Sequence, residues 1–142
     1  METAGKWMTP DPITVERDTT IIETIHLMKE KNIHSLPVTC KGTFCGLITE
    51  RMINEFSPGK STSLDTWELH YFLSKATVED AMNPHPPTIP IDTPLHEAAR
   101  MVIGNTISVL CVTGHDGKLV GILTNTNFLE ALISFCRFPS RV

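Results

Sequence analysis

The sequence predicts an α/β (α+β) fold built from two copies of one β-α-β-β-α unit, and three observations carry that expectation. First, the chain matches itself at an offset of 74, which pairs Met8 with Met82, Pro12 with Pro86, Thr14 with Thr88, Asp18 with Asp92, Glu23 with Glu97, Ile33 with Ile107 and Val38 with Val112. After one inserted residue the offset becomes 75 and pairs Gly42 with Gly117, Gly46 with Gly121 and Thr49 with Thr124. Self-similarity at a fixed period marks a duplicated structural unit. Second, each copy holds two short β-rich runs around a glycine-containing turn, and Asp116-Gly117 is a strong hairpin cue. Third, each copy runs from a glycine through two strand residues to a threonine and then into a helical segment, as Gly46-Leu47-Ile48-Thr49 and Gly121-Ile122-Leu123-Thr124. The expected division is a first repeat over 7–56, a linker with an amphipathic helix over 57–77 and a second repeat over 78–136.

Within the first repeat, Pro12-Ile13-Thr14-Val15 reads as a short strand whose prolines suit an edge or a strand start. A helix should follow, with Asp18-Thr19 as capping side chains and Ile21, Ile25 and Met28 as its inward stripe. The second copy shows the same helix with Thr93 as N-cap, Pro94 at the first helical position and Leu95, Ala99 and Val102 inward. Hairpins are expected from 36–40 with 44–49 and from 109–113 with 118–124, each followed by a closing helix, about 50–56 and 126–135. Ser57-Pro58-Gly59-Lys60-Ser61-Thr62-Ser63 is a polar, breaker-rich linker. Beyond it, Leu64, Trp67, Tyr71, Phe72 and Leu73 give helical amphipathicity, a face that either covers the core or makes subunit contacts. Val78 to Met82 reads as a further short helical turn, and the apolar end from Phe135 to Val142 as a docked tail.

Composition narrows the function. Twelve Lys and Arg against sixteen Asp and Glu give a net charge of −4, with no basic run to serve a nucleic-acid or anionic membrane surface. No apolar run approaches the roughly 18 residues of a membrane span, and the N-terminus lacks a signal-peptide apolar stretch. The expectation is a cytoplasmic protein. Cys40, Cys45, Cys111 and Cys136 form no C-x-x-C and read as reduced thiols, although Cys40 and Cys45 could face each other across a hairpin. The six histidines are scattered and His96-Glu97 opens no H-E-x-x-H motif, so no protein-bound metal is expected. No Ser/His/Asp order or paired-carboxylate motif points to an enzyme, and Cys111 is flanked by apolar residues instead of an activating base.

Taken together, Met8-Thr9-Pro10, Pro12-Ile13-Thr14-Val15, Ile33-His34-Ser35-Leu36-Pro37-Val38 and Gly46-Leu47-Ile48-Thr49, with Val78-Glu79-Asp80-Ala81-Met82, Ile107-Ser108-Val109-Leu110-Cys111-Val112 and Gly121-Ile122-Leu123-Thr124, resemble a tandem pair of cystathionine-β-synthase-type (CBS) domains, or Bateman module. The resemblance covers about residues 7 to 136, and the linker helix is similar to that of bacterial acetoin-utilisation-type CBS proteins. It implies a non-enzymatic regulatory module of two CBS repeats packed with pseudo-two-fold symmetry. It also implies clefts for an adenosine-containing ligand (AMP, ADP, ATP or S-adenosylmethionine), a homodimer and an unidentified regulated protein. No cofactor is required.

In such clefts the resemblance implies that the first strand and its apolar neighbours hold adenine. The strand-end threonine reaches ribose or phosphate, and an aspartate three residues later grips the ribose hydroxyls, since a carboxylate accepts two charge-assisted hydrogen bonds at once. Here that third position is Met52 in repeat one and Asn127 in repeat two. The better ligand set is therefore expected at Pro87, Thr88, Val109, Thr124 and Asn127, with a weaker second cleft at Ile13, Thr14, His34 and Thr49. Helix capping by the two threonines and an ordinary first-turn role for Asn127 are the structural alternatives. Arg51, Arg100 and Lys118 are either phosphate partners or exposed charge. A ligand-free dimerisation scaffold with degenerate pockets is the competing reading of the whole chain.

Overall fold

The structure is a computed structural model and describes residues 1–58 and 65–137. Most of the polar linker, Leu64 and the tail beyond Arg137 lie outside the described residues. The elements in order are α1 (Ala4–Trp7), β1 (Thr9–Pro10), β2 (Val15–Glu16), α2 (Ile21–Lys31), β3 (Ser35–Cys40), β4 (Thr43–Thr49), α3 (Glu50–Phe56), α4 (Thr66–Lys75), α5 (Val78–Ala81), β5 (Thr88–Pro90), α6 (Leu95–Asn105), β6 (Val109–Thr113), β7 (Leu119–Thr124) and α7 (Asn125–Cys136).

These form two compact units, one made of Ile13–Pro86 and the other of Met1–Pro12 with the chain from Pro87 onward. In the first, β2 runs parallel to β3 and β3 antiparallel to β4. The other holds the order β1-β7-β6-β5, with β5 parallel to β6 and β6 antiparallel to β7. Parallel neighbours need a long connection, and α2 and α6 supply it. Each hairpin turns where the backbone takes positive φ, at Lys41 (52°) and Gly42 (83°) in one and at Gly117 (82°) in the other.

Each compact unit takes its lead-in from the segment that precedes the other repeat. Leu95 N–H donates to the Glu2 carbonyl at 3.0 Å and Ala4 N–H to the Thr93 carbonyl at 2.8 Å; at the 74-residue spacing, Ile21 donates to Ala76 at 2.9 Å and Val78 to Thr19 at 2.8 Å. The lead-in chain then crosses a glycine in the last strand of its sheet. A Cβ on Gly121 would sit 2.8 Å from the Thr9 carbonyl oxygen and against the Met8 sulfur, and one on Gly46 would sit 2.9 Å from the Asn83 carbonyl oxygen and 2.8 Å from the Met82 sulfur. Both glycines of the repeated strand are thus fixed by close backbone approach.

Burial follows the apolar pattern with several corrections. The core of the Ile13–Pro86 unit holds Ile21, Met28, Leu36, Val38, Ile48 and Val78, and that of the other unit holds Ile89, Leu95, Ala98, Leu110, Val112 and Leu123. Along α2 and α6, Thr24 and Ala98 are fully buried, whereas Ile25, Ala99 and Val102 are half-buried. The stripe is therefore rotated by about one position from the expected one. Thr24 tolerates this because its hydroxyl donates to the Thr20 carbonyl at 2.9 Å.

The caps also fall one residue later than expected. Thr20 caps α2 in a reciprocal box with Glu23, and Pro94, which offers no side-chain hydrogen bond, is the N-cap of α6. The Pro12–Val15 strand begins only at Val15, because β2 pairs Val15 with Val38 and Glu16 with Thr39. On α4, Leu69, Phe72 and Leu73 pack into the core and Phe72 stacks on Phe56 with ring centroids 5.4 Å apart. Trp67 and Tyr71 point outward, 76 % and 59 % exposed, so the expected single aromatic face is split.

Candidate functional site

The register gathers the sequence-predicted residues at one end of each sheet. In the unit completed by β5, β6 and β7, Val109 faces Thr124 across the antiparallel pair and Thr88 lies beside Cys111 in the parallel one. Pro87 enters that ladder through its carbonyl, which accepts from Cys111 N–H at 3.0 Å. Thr88 is exposed, Pro87 and Thr124 are half-buried and Val109 is buried. In the other unit Ser35 faces Thr49, Ile13 and Thr14 enter β2, and His34 precedes β3. Ile13, Thr14 and His34 are exposed and Thr49 is buried.

One backbone difference follows from sequence alone once the register is known. Pro37 stands where repeat two has Cys111. Proline has no N–H, so the Ile13 carbonyl lacks the donor that Pro87 receives. Pro37 is fully buried in the central strand of its sheet, and the two-residue β2 pairs beyond it at Val38 and Thr39, so the missing N–H falls just before that pairing begins.

The two strand-end threonines both face the third residue of the following helix, and Thr124 adds a reciprocal bond. Thr49 accepts from Met52 N–H at 3.1 Å, an N-cap of α3 that leaves its hydroxyl proton available. Thr124 instead donates its hydroxyl to Asn127 Oδ1 at 3.1 Å, and its N–H reaches the same oxygen at 2.8 Å. Because a backbone N–H can only donate, the Asn127 amide orientation is fixed. Its Nδ2 then donates to Thr9 Oγ1 at 3.3 Å. Asn127 is 6 % exposed, and its one carbonyl oxygen is already shared by two donors. The Thr124 hydroxyl also faces the Asn127 N–H in a reciprocal capping box, so what it still offers is a single lone pair.

Charge separates the ends further. His34 Nδ1 lies 3.2 Å from Glu50 Oε2, with both side chains largely exposed at 73 % and 57 %. Arg51 turns away to Glu55 at 3.3 Å on the same helix. At the corresponding places repeat two has Ser108, Asn125 and Thr126, and α7 has no acidic residue in its first turn. The His34–Glu50 pair was not legible in sequence. The only signal was that the residue before Ser35-Leu36 and the one after Thr49 meet when those strands pair.

Burial pushes the Cys111 thiol up to about 12, which makes it a packed neutral side chain and no nucleophile at neutral pH. Burial and then the neighbouring Cys40 raise Cys45 as well. Among the described residues no cluster of three His, Cys, Asp or Glu could hold a metal ion, and no helix is long and apolar enough to cross a membrane. An apolar groove of about 520 Å³ lies elsewhere in its unit, lined by Leu95, His96, Ala99, Phe128, Leu132 and Phe135 among others. None of the expected ligand residues lines it.

Two glycine-to-threonine strands, each completed by a lead-in from the other repeat's side, define the class, and comparison with known proteins agrees. The CBS domain family model matches residues 4–59 and 78–134, and the chain belongs to that family. It is 31 % identical over 155 residues to the chloroplastic CBS domain-containing protein CBSX2 of Arabidopsis thaliana, covering 95 % of this chain and 65 % of that protein. The chain thus spans about two thirds of that relative's length. Among solved structures it resembles CBSX2 in complex with AMP, with a TM-score of 0.78, 30 % identity and coverage of 96 % of this chain and 100 % of that one. A putative acetoin utilization protein from Vibrio cholerae shares the fold at a TM-score of 0.77 and 22 % identity, over 95 % of this chain and 93 % of its own.

Proposed function

We propose that this CBS pair is a non-enzymatic regulatory module that senses an adenosine-containing small molecule, mainly through Pro87, Thr88, Val109, Thr124 and Asn127 of repeat two. The observation that carries the reading is its similarity, over nearly the whole chain, to a relative whose structure is in complex with AMP. The lone pair left on the Thr124 hydroxyl supports it, since a ribose hydroxyl can donate to it. Ile13, Thr14, His34 and Thr49 form the weaker set, where Met52 supplies no ribose acceptor beyond a thioether. AMP, ADP, ATP and S-adenosylmethionine are the compounds to test. A ligand that binds only the folded protein should add about 2.7 kcal/mol of stability at 100 times its Kd. A thermal-shift series with the four compounds reads this directly, and a melting temperature unmoved by all of them rejects the sensing role.

The second reading, a ligand-free dimerisation scaffold with degenerate pockets, is favoured by the commitment of the Asn127 oxygen to its own helix end. Both readings propose a homodimer. The exposed Leu129, Leu132, Ile133 and Phe135 of α7 support it, and sedimentation at monomer mass across the micromolar range would exclude it. A cytoplasmic setting and a regulated partner protein complete the proposal.

A further inference from the structure

We infer that the apolar groove between α6 and α7 is the docking site of the regulated partner protein, which enters it as an amphipathic helix with the apolar pattern of this chain's own α4. The inference takes the partner from the reading above and does not depend on the adenosine ligand. One face of this kind is already covered within the chain. In the Ile13–Pro86 unit, α4 lies against α2 and places Leu69, Phe72 and Leu73, an i, i+3, i+4 set, on the core, with Phe72 stacked on Phe56 of α3 at 5.4 Å. Helix α4 ends at Ala76, whose carbonyl accepts from Ile21 N–H, and the same bond in the other unit runs from Leu95 N–H to the Glu2 carbonyl. The α2 and α3 residues packed into that core, Ile21, Ile25, Ile53 and Phe56, correspond at the repeat spacings to Leu95, Ala99, Phe128 and Ala131. All four of these line the groove. Among the described residues no counterpart of α4 lies over them, and an opening of about 520 Å³ stands there, with Leu132 and Phe135 exposed along it. Leu129 and Ile133, on the adjoining face of α7, are not part of it and remain for contact between copies.

Two features define the occupant. Ala131 stands where Phe56 fills space in the other unit, so the groove has room for a large aromatic side chain at the place of Phe72. The titratable side chains on its walls are Glu2 and His96, and both carboxylate oxygens of Glu2 are engaged, by Lys6 Nζ at 3.0 Å and by Trp7 Nε1 at 2.6 Å. With Glu2 neutralised in this way, the surface complements an uncharged, apolar helix face and would leave an acidic or basic one poorly paired.

The probe is the α4 segment itself, a fluorophore-labelled peptide of residues 65–76, which carries its own capping box of Asp65 with Glu68. It is titrated by anisotropy into the full chain without nucleotide, and into the Leu132→Glu variant. Leu132 is exposed, so this variant should keep its fold, which a cooperative melt checks. Saturable binding is expected, weakened at least about ten-fold by Leu132→Glu, which sets an unpaired carboxylate in the groove, and by Phe72→Ala in the peptide. The absence of saturable binding overturns the inference. Binding that Leu132→Glu leaves within about two-fold of wild type also overturns it, since the peptide would then sit on the Ile13–Pro86 unit in place of α4. If the chain sediments as a dimer that Leu132→Glu takes apart, and the peptide does not bind, a second copy covers the groove and the inference is again overturned. No nucleotide is present in the titration, so each of these failures leaves the sensing role to its own thermal-shift test.

Discussion

The two repeats share a backbone and differ at their sheet ends. Position for position at the 74- and 75-residue spacings, the lead-in segments make the same backbone bonds, the same glycines admit a crossing chain and the same threonines precede α3 and α7. At those ends Pro37 stands against Cys111, His34 against Ser108, Glu50 against Asn125 and Met52 against Asn127. What the duplication preserved is the set of contacts whose loss would unfold a unit. What it let drift is the chemistry that a small molecule would meet. Fold therefore transfers between the copies, and function has to be argued for each.

The sharpest way to break the comparison is at the crossings. Gly121→Ala and Gly46→Ala each drive a methyl group to within 2.8 Å and 2.9 Å of a carbonyl oxygen, so each should destabilise its unit by about 3 kcal/mol in urea unfolding. A large difference between the two would show that the crossings are not equivalent. Next in size, Asn127→Ala strands the Thr124 N–H and removes the bond to Thr9, with an expected loss of about 1 to 2 kcal/mol. Met52→Ala removes no such hydrogen bond, and its cost should come from packing alone.

Both crossover helices end on a left-handed residue, Asn32 at φ 53° and Thr106 at φ 52°. Asparagine accepts that conformation and a β-branched threonine resists it. Thr106→Asn should therefore raise stability by about 1 kcal/mol, measured as a shift of the denaturant midpoint at constant slope. A neutral or negative result would mean that the strain is absorbed elsewhere.

The smallest effect is a difference in acid response. Glu16 accepts from the Thr39 hydroxyl and from Lys41 N–H at 2.9 Å and Gly42 N–H at 3.4 Å, and these bonds, Thr39's first, hold its carboxyl below the ordinary value of 4.5. A depressed folded-state pKa contributes stability that is present above the unfolded value and is lost as pH falls through the folded one. Repeat two has Pro90 at this position. Amide exchange at the Lys41-Gly42 turn should therefore accelerate as pH drops below about 4.5, after correction for intrinsic rates, and Glu16→Gln should abolish the dependence.

The larger elements were legible because they rest on patterns that a duplication doubles. The hairpins and α3 fall where glycine turns and strand runs placed them, with α3 at Glu50–Phe56. Helix α1 was missed because four residues complete a single turn and show no period. It is visible only as the counterpart of α5 at the 74-residue spacing. The caps slipped because Thr19 and Thr20 are adjacent and either can cap, and only the Glu23 reciprocal bond decides for Thr20. At the sheet ends, residue types were readable and their commitments were not. Nothing in the letters says that the Asn127 oxygen is consumed by Thr124 or that His34 meets Glu50, because both depend on a rotamer and a strand register.

The crossing lead-ins also set the order in which the chain can fold as it is made. The Ile13–Pro86 unit is contiguous, so everything it needs has emerged once Pro86 is clear of the ribosome. The other unit is split: Thr9 waits for Ile122, its strand partner, through about 110 residues of synthesis. Until then Ala4, fully buried in the finished unit, has no core to enter. A chain stopped after Pro86 would carry one whole unit and an idle N-terminal arm, whereas a chain begun at the linker would carry repeat two without its outermost strand.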